Sequence, residues 1–155
     1  MTLALDIGIV LGTIAAMEWV ASIIHRHVMH GFGWNWHQSH HRQRSAFFER
    51  NDLYALCFAA LSIACFVLGA AFAPLWWVGA GMVAYGILYA LLHDGLVHRR
   101  LPLPRRVSHP YLKRLVQAHK LHHATSTKAG AVSFGFLYAR PVRLLVREMR
   151  EQRLK

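Results

Sequence analysis

The feature that most limits this chain is an uncharged run of 40 residues, from Leu53 to Leu92. No soluble core helix is that long and that free of charge. A single bilayer crossing needs roughly 20 apolar residues, so the run is sized for two. Pro74 divides it into 53–73 and 75–92, and proline suits a turn or the first turn of a helix. A transmembrane hairpin is expected there. Residues 1–24 also lack Lys and Arg and carry only Asp6 and Glu18 as charges, which predicts a third crossing at 3–24. The segment has no basic stretch before it and no polar domain directly after it, so it reads as an uncleaved first helix and not a signal peptide. The expected fold class is therefore an all-α membrane protein with three transmembrane helices. A fourth, tilted or re-entrant element around Ala131–Val146 stays open, with Arg140 and Arg143 arguing against a full crossing.

Charge orients the crossings. Lys and Arg outnumber Asp and Glu 18 to 7, for a net charge of +11. Three crossings place the loop 25–52 on the same side as the tail 93–155. The loop holds Arg26, Arg42, Arg44 and Arg50, and the tail holds the other fourteen basic residues. That bias marks the cytoplasmic side, with Trp76 and Trp77 at the opposite interface. A bacterial cytoplasmic membrane is the expected location. At 155 residues the chain is one membrane-embedded domain. The basic side would attract anionic lipid and could steer an acidic electron donor. Val142, Leu145, Val146 and Met149 share one face of a predicted surface helix at 141–153, with Arg143, Arg147, Arg150 and Arg153 elsewhere, which suits the membrane surface. Nucleic-acid binding does not fit a chain with these crossings. Cys57 and Cys65 lie inside the second crossing without ligand spacing and read as small packing residues. Gly8 and Gly12 have the spacing of a close helix approach.

Ten of the twelve histidines fall into four groups. Two are His-x4-His, His25/His30 and His93/His98. Two are His-x2-His-His, His37/His40/His41 and His119/His122/His123. In the second type, positions i, i+3 and i+4 share a helical face, so three imidazoles can converge on one site. In the first type the pair is about 140° apart on an ideal α-helix. It must straddle a helix end or a π-bulge, or serve two metals. Both such pairs lie where an apolar run ends, and all four groups belong to one side of the membrane. One tetrahedral zinc needs four ligands, and ten histidines suit two metals of higher coordination with positions left for oxygen. Imidazole alone does not name the metal. His27 and His109 stand outside the repeated spacings and read as bystanders. Glu18, Asp52 and Asp94 are candidates to receive the outer N–H of a metal-bound histidine, and Glu49 lies close by.

Around these groups the chain resembles the membrane fatty-acid-hydroxylase superfamily and, within it, the bacterial β-carotene 3-hydroxylases. The resemblance runs nearly end to end. It covers Met17-Glu18, Met29-His30-Gly31, Trp36 through His41, Asn51-Asp52-Leu53-Tyr54, His93-Asp94-Gly95-Leu96-Val97-His98, Gln117-Ala118-His119 through Ala124, and Val132-Ser133-Phe134-Gly135-Phe136. Ser126–Ala131 departs from the family pattern in being less polar, outside the histidine motifs. The resemblance implies two iron ions held by the ten histidines, O2 and two external electrons for each hydroxylation, and a reduced ferredoxin with its reductase as donor. It implies β-carotene, dissolved in the bilayer, as the substrate, hydroxylated at ring C3 to β-cryptoxanthin and then zeaxanthin. Carotenoid ketolases, sterol or fatty-acid hydroxylases and desaturases share the histidine pattern and are rival readings. A membrane metal transporter is a further rival, but it needs ligands near the bilayer midplane. A zinc metalloprotease is not supported, because no His-Glu-x2-His is present.

Overall fold

A computed structural model of the chain describes residues 2–42, 47–103 and 106–154. Of the basic residues counted above, Arg44, Arg105, Lys155 and the side chain of Arg153 lie outside the described residues. Helix α1 (Leu3–Ile24) runs into a π-helical segment, π1 (His25–Phe32), and a single turn, α2 (Trp34–His37). The hairpin α3 (Asp52–Gly69) and α4 (Ala73–Tyr89) follows, and α4 runs into a second π-helical segment, π2 (Ala90–Val97). Helices α5 (Pro110–His122) and α6 (Val142–Arg153) complete the chain, and no strand occurs among the described residues.

Three helices are long and apolar enough to cross a membrane: Leu3–Phe32, Asp52–Gly69 and Ala73–Val97. Their large apolar side chains point outward; Trp19, Val67 and Ile63 are 74%, 68% and 62% exposed. Such a surface is costly in water and belongs in hydrocarbon, where a helix satisfies its own backbone. The 22 residues of α1 span about 33 Å at the α-helical rise, close to the thickness of a hydrocarbon core. His25 is the next residue, so the first ligand candidate emerges where the helix leaves the apolar layer.

The hairpin turns earlier than Pro74 suggests. Helix α3 ends at Gly69, and Pro74 sits in the first turn of α4. Gly69 makes this possible, because a Cβ there would lie 2.6 Å from the Trp76 nitrogen. Within the bundle, the Ser62 hydroxyl donates to the Gly79 carbonyl at 3.0 Å. Gly8 and Gly12, expected to allow close approach, face open space. The close α1–α4 contact falls instead at Gly81, where a Cβ would lie 2.6 Å from Thr13 Cβ and 2.9 Å from the Val10 carbonyl oxygen. Met17, Ala21, Met82 and Tyr85 form the bundle's buried core, with Cys65 against it; Cys57 is exposed on α3 and packs on nothing in that core.

A second core lies at the histidine end, built from Leu115, Ala118, Val132, Ala139, Leu145 and Met149. Leu145 and Met149 of α6 are therefore engaged by α5 and the segment before it, while Leu144 stays exposed. The stretch 124–141 forms no helix, so no fourth crossing exists there. It is an irregular strap across the end of the bundle. Ser133, with φ 61°, and Gly130, with φ 84°, shape it.

The Gly81 contact makes a direct test. Gly81→Val is expected to force α1 from α4 and cost about 1–3 kcal/mol by overpacking. Gly12→Val should be neutral. Thermal melting in detergent checks both, and equal effects would contradict the packing described.

Candidate metal centre

The structure brings all ten patterned histidines together at one end of the bundle. It divides them into two groups. The ring nitrogens of His25, His30, His37 and His122 lie within 4.8 Å of one another, as do those of His40, His93, His98 and His119. His41 joins the first group, its Nε2 being 3.1 Å from that of His37. His123 joins the second, its Nε2 being 2.9 Å from that of His119. The His41 and His123 rings stack across the seam at 4.4 Å. His27 and His109 are exposed and belong to neither group.

His25 and His30 sit in π1; His93 sits in π2, and His98 is the residue that caps its C-terminal end. The i→i+5 bond of a π-helix turns residues five apart back toward one face. In π2 that bond joins the ligand candidates themselves, with the His98 N–H donating to the His93 carbonyl at 2.9 Å. Each pair therefore serves a single group, which settles the alternatives that the spacing left open. The His-x2-His-His motifs behave differently from expectation. Their three imidazoles do not converge; the outer two, at i and i+4, face one group and the middle one faces the other. His37 and His41 lie with the first group and His40 with the second, while His119 and His123 lie with the second and His122 with the first. Every motif thus contributes to the paired centre, and both motifs of this type link its halves.

Outer partners fix the rings. In the first group, Nδ1–H of His25 donates to the Phe134 carbonyl (2.9 Å), His30 to Lys128 (3.0 Å), His41 to Thr125 (2.8 Å) and His122 to Val132 (3.0 Å). His37 donates to the Asn51 side-chain oxygen at 2.7 Å. In the second group two of the histidines have carboxylate partners: His40 donates to Glu49 at 3.0 Å and His93 to Asp94 at 2.8 Å. An Nδ1 that donates leaves Nε2 as a bare lone pair. Burial also keeps these rings uncharged. It holds His37 down to about 3, His41 to about 4 and His123 to about 2, and pushes His40, His119 and His122 well below the usual histidine range.

The donor set fits a metal pair. Lone pairs of neutral imidazoles repel, yet Nε2 atoms approach to 3.1 Å for His25–His37, His30–His37 and His30–His122. The second group repeats this, at 3.0 Å for His40–His93 and 3.1 Å for His98–His119. Two nitrogens each about 2.1 Å from a divalent ion stand about 3.0 Å apart at a right angle and about 3.4 Å apart at a tetrahedral one. The observed spacing matches the right angle. A cation of high coordination number between each set of lone pairs turns the repulsion into ligation.

The expected acids divide. Asp94 touches His93. Asp52 touches no histidine; it binds Arg100 at 2.6 and 2.8 Å and receives the Glu49 N–H at 2.9 Å. Glu18 also touches no histidine. One of its oxygens takes the backbone N–H groups of Phe136, Leu137 and Tyr138 at 2.9, 3.0 and 2.9 Å, and the other takes the Tyr85 hydroxyl at 3.0 Å. It pins the strap that carries the Phe134 carbonyl to His25 and stacks the Phe136 ring on His25, 5.3 Å away. Gly135 permits this, since a Cβ would lie 2.5 Å from the Glu18 oxygen. Asn51, Arg100 and the strap carbonyls escaped the sequence reading. Backbone oxygens have no side-chain signature, and Arg100 is one cation among many.

Removing the Glu18 carboxylate strands the part-buried N–H groups of Phe136 and Leu137, each costing about 1–3 kcal/mol when left unpaired, and frees the exposed one of Tyr138. Glu18→Ala is expected to lower both the melting temperature and the metal content of the purified protein. Glu18→Gln should retain most of each. Full metal content in Glu18→Ala would show that the strap needs no such anchor.

The Fatty acid hydroxylase family model matches residues 10–139. A Beta-carotene hydroxylase from Pantoea ananas is 53% identical over 148 residues, covering 93% of this chain and 83% of that protein. A Beta-carotene hydroxylase from Paracoccus sp. (strain PC1) is 48% identical over 147 residues, covering 92% of this chain and 89% of that protein. The chloroplastic Beta-carotene 3-hydroxylase 1 of Arabidopsis thaliana is 37% identical over 139 residues, covering 86% of this chain and 43% of that protein. No solved structure gives a significant match. With the family model covering most of its length and relatives this similar, the chain belongs to the fatty acid hydroxylase family.

Proposed function

We propose that the protein hydroxylates the β-ionone ring of β-carotene at C3, giving β-cryptoxanthin and then zeaxanthin, with two iron ions held by the ten clustered histidines. One observation carries the reading: two neighbouring sets of neutral imidazoles whose Nε2 lone pairs converge at about 3 Å, in a chain similar to Beta-carotene hydroxylases. His25, His30, His37, His41 and His122 hold one iron, and His40, His93, His98, His119 and His123 the other. Bound iron supplies the oxidising power for an unactivated C–H bond, drawing on O2 and two external electrons.

The remaining chemistry belongs to the chain. A narrow cavity lined by Leu92, Leu96, Val97, Leu112, Leu115 and Phe136 reaches His93 and His119. At about 20 Å³ it has room for a water and not for a carotenoid ring, so its aliphatic lining marks an apolar border of the centre that a ring arriving from the bilayer would have to open. Phe134 and Phe136 pack on His25 and close the centre on the strap side. A polar pocket lined by His40, His98 and His123 opens beside Arg42 and Lys120. That charge suits an acidic redox protein, with reduced ferredoxin and its reductase the proposed source of electrons. The basic bias of the loop and tail supports a cytoplasmic position for this end of the bundle, in a bacterial inner membrane. The whole chain acts as one membrane-embedded domain.

Expression in bacteria that accumulate β-carotene, with pigments separated by chromatography, tests the reading. The wild-type chain is expected to yield β-cryptoxanthin and zeaxanthin. His40→Ala and His122→Ala should each abolish product, and His27→Ala should leave most of it. Unchanged pigment or keto products alone from the wild-type chain would overturn the substrate and reaction. Product from either His40→Ala or His122→Ala would overturn the ligand assignment.

A further inference from the structure

The two histidine groups differ in what stands behind them. Every outer partner named above for the first group is a neutral oxygen, four backbone carbonyls and the Asn51 amide. For the second group the named partners are the carboxylates of Glu49 and Asp94. Those two acids are joined through Arg100, which belongs to no histidine motif. Its guanidinium forks onto Asp52 at 2.8 and 2.6 Å, and Asp52 holds the Glu49 backbone N–H at 2.9 Å. The same guanidinium lies 3.6 Å from the Asp94 oxygen that receives His93. The Arg100 backbone N–H also donates to the Asp94 carbonyl at 2.7 Å, and its side chain is only 7% exposed.

We propose that Arg100 is a positioning residue for the second metal alone, holding Asp94 and, through Asp52, Glu49 against His93 and His40, so that the two metals are chemically inequivalent. The inference rests on the two-metal reading of the preceding subsection. A carboxylate that accepts Nδ1–H makes the imidazole a more basic, more electron-rich ligand than a carbonyl does. Two such pairs give the second metal the more anionic surroundings. A planar fork can bind both Asp52 oxygens while facing Asp94, a geometry that a lysine ammonium does not reproduce. Access follows the same division. The apolar cavity reaches His93 and His119 and the polar pocket reaches His40, His98 and His123, whereas none of the described cavities is lined by His25, His30, His37 or His122. The second group thus borders both of these cavities.

The test is Mössbauer spectroscopy and iron titration of the full chain in detergent, loaded with 57Fe(II) after chelation. Wild-type protein is expected to bind two irons per chain with two distinguishable quadrupole doublets of equal area. Arg100→Gln should alter one doublet and weaken one of the two iron affinities by about 10–100-fold. Asp94→Asn, which leaves the Arg100–Asp52 fork intact, should alter that same doublet, and Arg100→Lys should recover part of the effect. Asn51→Ala, which touches only His37 among the ligands, should alter the other doublet. A wild-type chain that binds fewer than two irons would overturn the two-metal reading itself. Two irons with doublets that shift together in Arg100→Gln and Asp94→Asn, or that shift in neither, would overturn the role given to Arg100.

Discussion

Everything in this protein that bears on chemistry depends on where the Nδ1 protons of its histidines go. Each fixed outer oxygen takes one N–H, sets the tautomer, and aims a bare Nε2 lone pair inward. In water such a cluster would fly apart or protonate. Here burial denies the charged form, and the carbonyls of Thr125, Lys128, Val132 and Phe134 hold the rings from behind. The strap is therefore part of the centre, although it contributes no ligand. Glu18 extends the same logic one step outward, since a carboxylate at the inner end of α1 spends its lone pairs on the strap's backbone.

The membrane-spanning helices serve this arrangement by ending where they do. An α-helix that has just crossed a hydrocarbon layer must present polar groups, and this chain presents histidines. The change from α to π geometry at those ends converts a five-residue spacing into a convergent pair. The α5–α6 layer then packs a second apolar core at the histidine end of the bundle. Charge completes the design asymmetrically: neutral oxygens behind one half, carboxylates tied to a guanidinium behind the other.

Much of this was legible in the sequence, for specific reasons. An uncharged run of 40 residues has few physical solutions, and the three apolar helices follow from it. The histidine spacings named the ten candidates, and their lack of repeat spacing set His27 and His109 apart. The division of labour within His-x2-His-His was not legible, because a shared helical face does not reveal that two targets lie beside it. Asp52 shows a similar limit: its place beside the motifs suggested a histidine partner, whereas its oxygens are taken by Arg100 and a backbone N–H. The amphipathic pattern of α6 was correct as a pattern but did not say which apolar surface would receive it. The strap carbonyls left no trace, since any residue carries one.

The central claim is that each of two irons is held almost wholly by imidazole nitrogens. X-ray absorption at the iron edge of the loaded, detergent-purified protein tests this most directly. The account predicts a nitrogen-dominated shell with the multiple-scattering pattern of several histidines per iron. It also predicts no sulfur, because Cys57 and Cys65 lie away from the centre within α3. A sulfur shell, or a coordination sphere of oxygens with at most one or two imidazoles, would contradict it.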